Sequence, residues 1–236
     1  MKTLIVIPAR MASTRLPDKP MAMIGDAPMI VQVWRRAVES GVGEVLVACD
    51  GEAIAAAIAE AGGRAILTDP DLPSGSDRIW AAIREAGVTD VDVVINLQGD
   101  VPTLEPRLLK DILKPLADPQ VDIATLVAEI HEEAEHTNPA VVKIALAENG
   151  RALYFSRATI PAHDGARYHH IGVYAYRYAA LEKFVSLPPS PLERREKLEQ
   201  LRALEAGMRI DAVVVDTVPL GVDTPQDLER ARRLLS

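Results

Sequence analysis

Short apolar runs alternate with longer segments of helical periodicity through the first half of the chain. The runs that are apolar almost throughout predict buried strands at Leu4–Ile7, Glu44–Cys49, Ala65–Leu67 and Val91–Leu97. Apolar residues at helical spacing predict helices at Pro28–Ser40, Glu52–Ala61, Asp77–Ala86 and Pro106–Leu116. This alternation is typical of an α/β fold, in which a mostly parallel sheet carries helices on both faces. Such sheets bind ligands at the edge where the strands end.

After residue 120 the pattern changes to strands with little helix between them. The predicted strands are Val121–Ile130, Ala140–Ala147, Ala152–Phe155 and Tyr168–Tyr176. We interpret the stretch 121–176 as an inserted, partly antiparallel β-rich region, and we expect a homodimer contact there. Because no internal repeat or low-complexity linker interrupts the chain, we predict one domain over residues 1–236.

The last part of the chain carries clear helix signals. A long helix is predicted at Ser190–Ala206, with Ser190 and Glu193 forming a capping box and Gly207 ending it. A strand at Ile210–Val215 and a helix that begins at Thr224 and Pro225 follow it.

Composition narrows the class of protein. The 236 residues include 26 Lys and Arg against 34 Asp and Glu, a net charge of −8, which argues against a nucleic-acid partner and a polybasic membrane anchor. The single cysteine, Cys49, allows no internal disulfide, and the apolar run Leu4–Ile7 is too short for a signal sequence or membrane insertion. We therefore expect a soluble, cytoplasmic protein.

Several familiar motifs are missing from the sequence. It contains no G-x-x-x-x-G-K-[ST], G-x-G-x-x-G or G-x-S-x-G, which excludes the common phosphate-loop, dinucleotide and hydrolase signatures. His131 and His136 are five residues apart rather than four, and with one cysteine a structural zinc site is not expected.

The proline-rich loop after the first strand, residues 8–20, is the strongest candidate for binding. It places three cations, Arg10, Arg15 and Lys19, at a strand end in an acidic protein. Small residues in the same loop allow a ligand to approach the backbone, and guanidinium and ammonium groups neutralise phosphates. A solvated surface loop is the alternative, but three cations in one strand-end loop favour a polyphosphate ligand.

Two aspartates suit a divalent cation. Asp100 directly follows a predicted buried strand in Gln98-Gly99-Asp100, and Asp223 precedes the last helix. Mg²⁺ commonly takes one or two protein carboxylates and completes its shell with phosphates and water. Asp223 has an alternative role beside the helix dipole, and Asp50, which also ends a strand, is explained equally well by a turn at Gly51.

The predicted strand Tyr168–Tyr176 has two different faces. Period-two alternation places the aliphatic Ile171, Val173 and Ala175 toward the core. The opposite face carries His170, Gly172, Tyr174 and Tyr176. This polar, aromatic face suits a sugar or an acid, although a single His on a strand also fits a structural role.

With these residues in place, the chain resembles the 3-deoxy-manno-octulosonate cytidylyltransferase (CMP-Kdo synthetase) family almost from end to end. The blocks that carry the resemblance are Ile7-Pro8-Ala9-Arg10, Ser13-Thr14-Arg15-Leu16-Pro17, Ser74-Gly75-Ser76-Asp77-Arg78, Gln98-Gly99-Asp100, Asn138-Pro139, Leu153-Tyr154-Phe155-Ser156-Arg157, His170-Ile171-Gly172, Ser190-Pro191-Leu192-Glu193, Glu199-Gln200-Leu201-Arg202 and Gly221-Val222-Asp223-Thr224-Pro225. The tyrosine-phenylalanine-serine-arginine and glutamate-glutamine-leucine-arginine blocks are the most specific.

The resemblance implies a Mg²⁺-dependent nucleotidyltransferase of lipopolysaccharide biosynthesis, in which CTP and Kdo give CMP-Kdo and pyrophosphate. The anomeric hydroxyl of Kdo would attack the α-phosphorus in line. It implies that the triphosphate is held by Arg10, Arg15 and Lys19, and Mg²⁺ by Asp100 and Asp223. Ser74, Gly75 and Arg78 would line the cytidine pocket, with Ala9 beside the base. The sugar acid would be held by Gln98, Arg157, His170, Tyr174, Glu199 and Gln200. Without the resemblance, Glu199 and Gln200 indicate only a solvated helix face.

The chain departs from the family pattern at two positions. Val101 follows Asp100 where the family often has an acidic residue, and Asp18 stands where a glycine is usual before Lys19. Three alternatives remain open at this point: a cytidylyltransferase for amino-Kdo or sialic acid, a nucleotide-binding regulator without catalysis, and a glycosyltransferase. The paired Asp100 and Asp223 argue against the regulator, and the lack of an Asp-x-Asp motif argues against the glycosyltransferase.

Overall fold

The computed structural model describes residues 1–163 and 165–235. The strands are β1 (Thr3–Ala9), β2 (Met23–Ile24), β3 (Ala27–Pro28), β4 (Glu44–Cys49), β5 (Arg64–Leu67), β6 (Val93–Asn96), β7 (Ile123–Glu129), β8 (Lys143–Leu146), β9 (Ala152–Ser156), β10 (Tyr168–Arg177) and β11 (Ile210–Val215). The α-helices are α1 (Met29–Glu39), α2 (Glu52–Glu60), α3 (Gly75–Glu85), α4 (Leu108–Asp111), α5 (Glu133–Thr137), α6 (Tyr178–Ser186), α7 (Pro191–Glu196), α8 (Leu201–Glu205) and α9 (Pro225–Leu234). Short 3₁₀ helices span Lys19–Met21 and Lys114–Ala117.

The chain forms two compact units. The first comprises Met1–Lys110 together with the C-terminal segment from Pro219, and the second is Asp111–Val218. The single domain expected over residues 1–236 stays a prediction. Among the described residues no helix is both long enough and apolar enough to cross a membrane.

The first unit is built on parallel strands in the order β6-β1-β4-β5. Ile5 of β1 pairs with Val45 on one side and Ile95 on the other, and β1 and β6 are buried along most of their length. Helices α1 and α3 pack on β1 and β4 with fully buried side chains such as Ile30 and Ile79. The predicted α/β class is therefore confirmed. The expectation that β5 is buried is wrong: within residues 1–163 and 165–235 it pairs with β4 alone, and Leu67 is 47% exposed.

The second unit is rich in β-structure of mixed direction, as predicted for the insertion. Strand β7 pairs in parallel with β11 and antiparallel with β10. Strand β8 pairs antiparallel with both β9 and β10. Helix α6, which directly follows β10, is an element that the sequence analysis did not predict.

The long helix predicted at Ser190–Ala206 is in fact two short helices, α7 and α8. The capping box of Ser190 and Glu193 is present, but Lys197 adopts a left-handed conformation with φ 55° and ends α7. The guanidinium of Arg202 donates 2.9 and 2.7 Å hydrogen bonds to both carboxylate oxygens of Glu193. Nine residues are about two and a half turns of a helix, so these side chains would lie on opposite faces of a continuous one. The break allows this ion pair to form.

The predicted helix Pro106–Leu116 is also interrupted. It consists of the single turn α4 and the 3₁₀ helix Lys114–Ala117, because Pro115 has no N–H to continue an α-helical ladder. Other boundaries agree closely with the sequence: β4 and β11 coincide with their predictions, and the capping box of Thr224 begins α9.

Candidate functional site

A cavity of about 820 Å³ lies within the first unit at the carboxyl ends of β1 and β6. Its walls are the loop after β1, the beginning of α3, the turn after β6 and the loop before α9. The residues predicted for the nucleotide and the metal line this cavity together: Ala9, Arg10, Arg15, Lys19, Ser74, Gly75, Arg78, Gln98, Asp100 and Asp223. Residues far apart in sequence thus meet at one edge of the parallel strands.

Lys19 joins the two aspartates. Its Nζ lies 2.7 Å from Oδ2 of Asp100 and 3.1 Å from Oδ1 of Asp223. Partial burial opposes the positive charge of Lys19, but the two carboxylates outweigh it and raise the pKa of the ammonium above its ordinary value. Lys19 is therefore a fixed cation in the cavity wall.

The two arginines of the same loop are more exposed. The Nη2 atom of Arg15 lies 3.0 Å from Oδ2 of Asp223, and 66% of the Arg15 side chain is exposed. Arg10 is exposed and forms no ion pair with the rest of the described chain. Both guanidinium groups therefore have donors available to a ligand in the cavity.

The turn after β6 is pressed against the end of β1. A Cβ atom on Gly99 would lie 2.8 Å from the carbonyl oxygen of Pro8 and 3.2 Å from Cδ1 of Ile30. Only glycine permits this approach without movement, so Gly99 sets the position of Asp100. The carbonyl of Asp100 in turn accepts a 2.8 Å hydrogen bond from the amide of Val222, which ties this turn to the loop that carries Asp223.

Asp50 is a site residue that the sequence analysis did not assign. Its Oδ1 accepts a 2.9 Å hydrogen bond from the amide of Met11, and its side chain is only 8% exposed. The carboxylate also lies 4.0 Å from Nη2 of Arg78. Asp50 thus holds the cation-bearing loop at its start. Its place at the end of β4, beside β1, was the available signal.

Ser74 and Gly75 form the beginning of α3 at the cavity wall. The Ser74 hydroxyl accepts a 3.1 Å hydrogen bond from the amide of Asp77 and caps the helix. The partial positive charge of a helix N-terminus at this wall favours an anionic ligand. Gln98 donates a 2.9 Å hydrogen bond to Oδ1 of Asn96.

Arg78 is buried, and its guanidinium is engaged by its own chain. It donates hydrogen bonds of 2.6 Å to the Thr68 hydroxyl and of 3.2 and 3.3 Å to the carbonyls of Asp69 and Pro70. These bonds hold residues 68–70 against α3. Arg78 thus stabilises the part of the cavity wall where the cytidine pocket is predicted.

Asp18 has a backbone conformation that explains why glycine is usual there. Its φ of 53° and ψ of 31° lie in the left-handed region, and its carbonyl accepts the amide of Met21 as the 3₁₀ helix Lys19–Met21 begins. Aspartate tolerates this region better than most residues do. The departure at Asp18 therefore keeps the fold of the loop.

The donor set suits a hard divalent cation that also binds phosphate. The carboxylates of Asp100 and Asp223 already converge on one cationic centre, the Lys19 ammonium. Across residues 1–163 and 165–235, no group of three or more His, Cys, Asp and Glu side chains could hold a metal by itself. The pair can thus supply two ligands, and the remaining ones have to come from phosphate and water.

The residues predicted for the sugar acid, except Gln98, lie in the second unit. Arg157 follows β9, and its guanidinium donates to the carbonyls of Pro139 and Glu196 at 2.9 and 3.1 Å. Gln200 is buried at the beginning of α8, and Oε1 of Glu199 lies 3.7 Å from Nη2 of Arg202. The alternative of a solvated helix face is therefore wrong for Gln200.

The aromatic face of β10 is present as predicted. The ring centroid of Tyr174 lies 5.4 Å from that of His170 and 5.8 Å from that of Tyr176, while Val173 and Ala175 are buried in the core. A bulge between Ile171 and Tyr174 leaves Gly172 exposed. The ligand role of this face stays a prediction.

His170 itself is buried among its neighbours. Its Nε2 lies 3.0 Å from the hydroxyl of Thr125, and its ring packs edge-on against Phe155 at 5.0 Å. Burial, reinforced by the adjacent His169, lowers the pKa of His170 to about 3. The imidazole is therefore neutral at ordinary pH. Burial also raises the pKa of Tyr174 well above its usual value, with further contributions from Tyr176 and Glu199.

Comparison with known proteins agrees with this geometry. A family model described as cytidylyltransferase matches residues 4–210. The 3-deoxy-manno-octulosonate cytidylyltransferase of Bradyrhizobium sp. (strain ORS 278) is 63% identical over 240 residues, covering 100% of this chain and 98% of the relative. The protein of the same name from Rhodospirillum rubrum is 62% identical over 239 residues, covering 98% and 95% of the two chains.

Solved structures give the same result. A CMP:2-keto-3-deoxy-manno-octonic acid synthetase complexed with CTP superposes with a TM-score of 0.93 at 41% identity, over 99% of this chain and 98% of that one. A cytidylyltransferase from Leptospira borgpetersenii, 19% identical with a TM-score of 0.64, covers 98% and 85% and shares the fold. Matches of this length and identity show that the chain belongs to the 3-deoxy-manno-octulosonate cytidylyltransferase family.

Proposed function

We propose that this chain transfers the CMP group of CTP to the anomeric hydroxyl of Kdo, releasing pyrophosphate and supplying CMP-Kdo for lipopolysaccharide biosynthesis. The observation that carries the proposal is the cavity of the first unit, where three cations and two carboxylates meet at strand ends. Family membership supports CTP and Kdo as the substrates, since a relative that is 63% identical is a 3-deoxy-manno-octulosonate cytidylyltransferase.

The cationic loop binds the triphosphate. Lys19 is fixed by Asp100 and Asp223, so its ammonium is held in place before the nucleotide arrives. Arg10 and Arg15 are exposed and supply guanidinium groups that match phosphate oxygens. The small side chain of Ala9 and the beginning of α3 at Ser74 and Gly75 give the base and ribose room along the wall.

Asp100 and Asp223 are the residues that would hold Mg²⁺. When bound, Mg²⁺ neutralises charge on the phosphate oxygens as pyrophosphate leaves. The protein contributes chiefly position and charge: the Kdo hydroxyl oxygen bonds to the α-phosphorus while the bond to pyrophosphate breaks, and the hydroxyl proton is released to water. The valine at position 101 adds no third carboxylate, so Asp100 and Asp223 act as a pair.

The sugar acid is held by groups of complementary chemistry. The guanidinium of Arg157 is the natural partner of the Kdo carboxylate, and Gln98, Glu199 and Gln200 offer amide and carboxylate groups to its hydroxyls. The neutral imidazole of His170 and the phenol of Tyr174 complete the set. We further propose that the enzyme acts in the cytoplasm and that it is a homodimer. Sedimentation of the purified protein would test the oligomeric state.

The direct test is pyrophosphate release from CTP and Mg²⁺, with and without Kdo, run beside sialic acid, amino-Kdo and the other nucleoside triphosphates. We expect release only when CTP and Kdo are both present, and its loss when EDTA removes the metal. Release with another acidic sugar in place of Kdo would refute the substrate assignment. CTP binding without release from any pair would instead favour a nucleotide-binding regulator.

A single variant tests the metal pair. Asp100→Asn keeps the shape of the side chain but removes the charge, and we expect Mg²⁺-dependent turnover to be nearly abolished. Asp90→Asn is the matched control, because Asp90 forms an exposed ion pair with Lys2 outside the cavity. Full activity of Asp100→Asn at ordinary Mg²⁺ concentration would show that Asp100 is not needed to bind Mg²⁺.

A further inference from the structure

The carboxylate of Glu196, at the end of α7, reaches the end of strand β9. Its Oε1 accepts a 2.9 Å hydrogen bond from the hydroxyl of Ser156 and a 3.4 Å one from that of Tyr154. Its Oε2 accepts a 3.1 Å hydrogen bond from the backbone amide of Arg157. One carboxylate thus contacts three residues at the end of β9: Tyr154, Ser156 and Arg157.

The guanidinium of Arg157 is held by the same helix end. Its Nε donates to the carbonyl of Glu196 at 3.1 Å, and its Nη2 to that of Lys197 at 3.5 Å. These carbonyls are available because α7 ends here, where Lys197 turns to the left-handed conformation. The helix break that the sequence did not predict therefore provides acceptors for Arg157.

Lys143 fixes the other side of Arg157. This fully buried lysine directs its ammonium at three carbonyls, those of Asn138, Val141 and Arg157, at 2.8, 2.8 and 2.7 Å. The carbonyl of Pro139, next to Asn138, accepts a 2.9 Å hydrogen bond from Nη1 of Arg157. The backbone of Arg157 is thus held at its amide by Glu196 and at its carbonyl by Lys143.

The remaining donors of Arg157 suit a carboxylate. A guanidinium has five N–H groups, and the contacts to described residues use one on Nε, one on Nη1 and one on Nη2. One N–H is left on each terminal nitrogen, which matches the two oxygens of a carboxylate. The direction of these two donors depends on the contacts that fix the rest of the group.

We propose that Glu196 is a positioning residue, which sets the orientation in which Arg157 presents its free donors to the carboxylate of the sugar acid. The inference rests on the proposed function, which assigns Arg157 to that carboxylate. Glu196 holds Arg157 at two points, through its side chain and its backbone carbonyl. Neutralising its carboxylate weakens the hold on the Arg157 backbone, from which the guanidinium extends, and leaves the contact of Nε with the Glu196 carbonyl.

A double-mutant cycle of Glu196→Gln and Arg157→Ala tests the proposal. The steady-state KM values for Kdo and for CTP are measured separately in each variant. A misdirected Arg157 should lose one hydrogen bond to the carboxylate of Kdo. Glu196→Gln should therefore raise the KM for Kdo roughly tenfold and leave the KM for CTP unchanged. In the Arg157→Ala background the same change should have no further effect.

Glu205→Gln is the matched control. Glu205 accepts a 2.9 Å hydrogen bond from the amide of Leu192 and so also ties α7 and α8 with a carboxylate, but no contact joins it to Arg157 among the described residues. We expect wild-type KM values. Glu196→Asp, which keeps the charge and shortens the side chain, takes the place of Glu196→Gln in the cycle if that variant is poorly folded.

The outcomes separate this inference from the proposed function. If Arg157→Ala raises the KM for Kdo but Glu196→Gln does not, or the two effects multiply, the positioning role is overturned while the assignment of Arg157 stands. If Arg157→Ala leaves the KM for Kdo unchanged, that assignment and the positioning role are both overturned. A rise in the KM for Kdo that disappears without Arg157 supports the inference.

Discussion

Gly99→Ala tests whether one close contact positions the turn that carries Asp100. The added Cβ would lie 2.8 Å from the Pro8 carbonyl oxygen and 3.2 Å from Cδ1 of Ile30. The first partner is backbone at the end of β1, so it cannot rotate away as a side chain would. Either β1 or the turn must move, and overpacking of this kind costs about 1–3 kcal/mol of folding free energy.

The same movement should affect activity. Asp100 follows Gly99 directly, and its carboxylate lies 2.7 Å from the Lys19 ammonium. Displacement of a reacting group by about 1 Å can reduce the rate by roughly 10²-fold. We therefore expect kcat/KM for CTP to fall about 10- to 100-fold in Gly99→Ala, since the turn shifts by a fraction of that distance.

Urea unfolding followed by circular dichroism measures the first effect, and pyrophosphate release the second. Gly221→Ala is the stability control, since a Cβ there would meet no other described atom within 4 Å and its φ is not in the left-handed region. If Gly99→Ala were as stable as Gly221→Ala and retained wild-type kcat/KM, the contact with Pro8 would not set the position of Asp100.

Three further substitutions address separate features. Lys19→Met removes the cation shared by Asp100 and Asp223, and pyrophosphate release should show kcat/KM lower by roughly 10²–10³-fold, as for loss of one preorganised donor. Asp18→Gly relieves a left-handed backbone (φ 53°) and should raise the free energy of unfolding in urea by about 1 kcal/mol. His170 has a pKa near 6.5 in the unfolded chain, whereas burial lowers its pKa to about 3 in the folded protein. Stability should therefore fall as pH drops below 6.5, by up to about 1.4 kcal/mol per unit, and His170→Asn should lose that part of the slope.

Each of these has its own control or contrary result. Asp18→Asn keeps the tolerance of the left-handed region and removes only the charge, so equal stabilisation by both variants would point to electrostatics instead. Wild-type kcat/KM in Lys19→Met would exclude that ammonium from triphosphate binding. An unchanged acid slope in His170→Asn would mean that other groups cause the loss of stability.

The elements that the sequence predicted well are those whose burial is visible in composition. The strands β4 and β11 match their predicted bounds because most of the apolar residues in each run are buried. The exposure of β5 was not predictable in this way, since its short apolar run resembles that of a buried strand and only the strand order places it at an edge. The break at Lys197 accompanies the pairing of Glu193 with Arg202, a contact between separate helices that local helix propensity does not indicate.

The candidate site shows the same division. Arg10, Lys19, Asp100 and Asp223 were predicted because they stand at the ends of elements, and the topology of parallel strands brings such ends together. Asp50 and Glu196 were missed because each acts on a backbone amide 39 residues away, and the local sequence around neither of them indicates that partner. Contacts of that kind follow from the packed structure alone.

The pairing of cations with carboxylates in the cavity explains how a loop with three positive charges can be ordered before it binds a nucleotide. Unpaired, Arg15 and Lys19 would repel each other in one loop. Asp223 contacts both of them and Asp100 contacts Lys19, so the repulsion is offset within the cavity itself. A bound triphosphate with its divalent cation would bring opposite charge to both partners at once, phosphate to the cations and metal to the carboxylates. The aspartates would thus act twice under the proposed function, first by holding the cations in position and then by binding the metal, with no carboxylate needed at Val101.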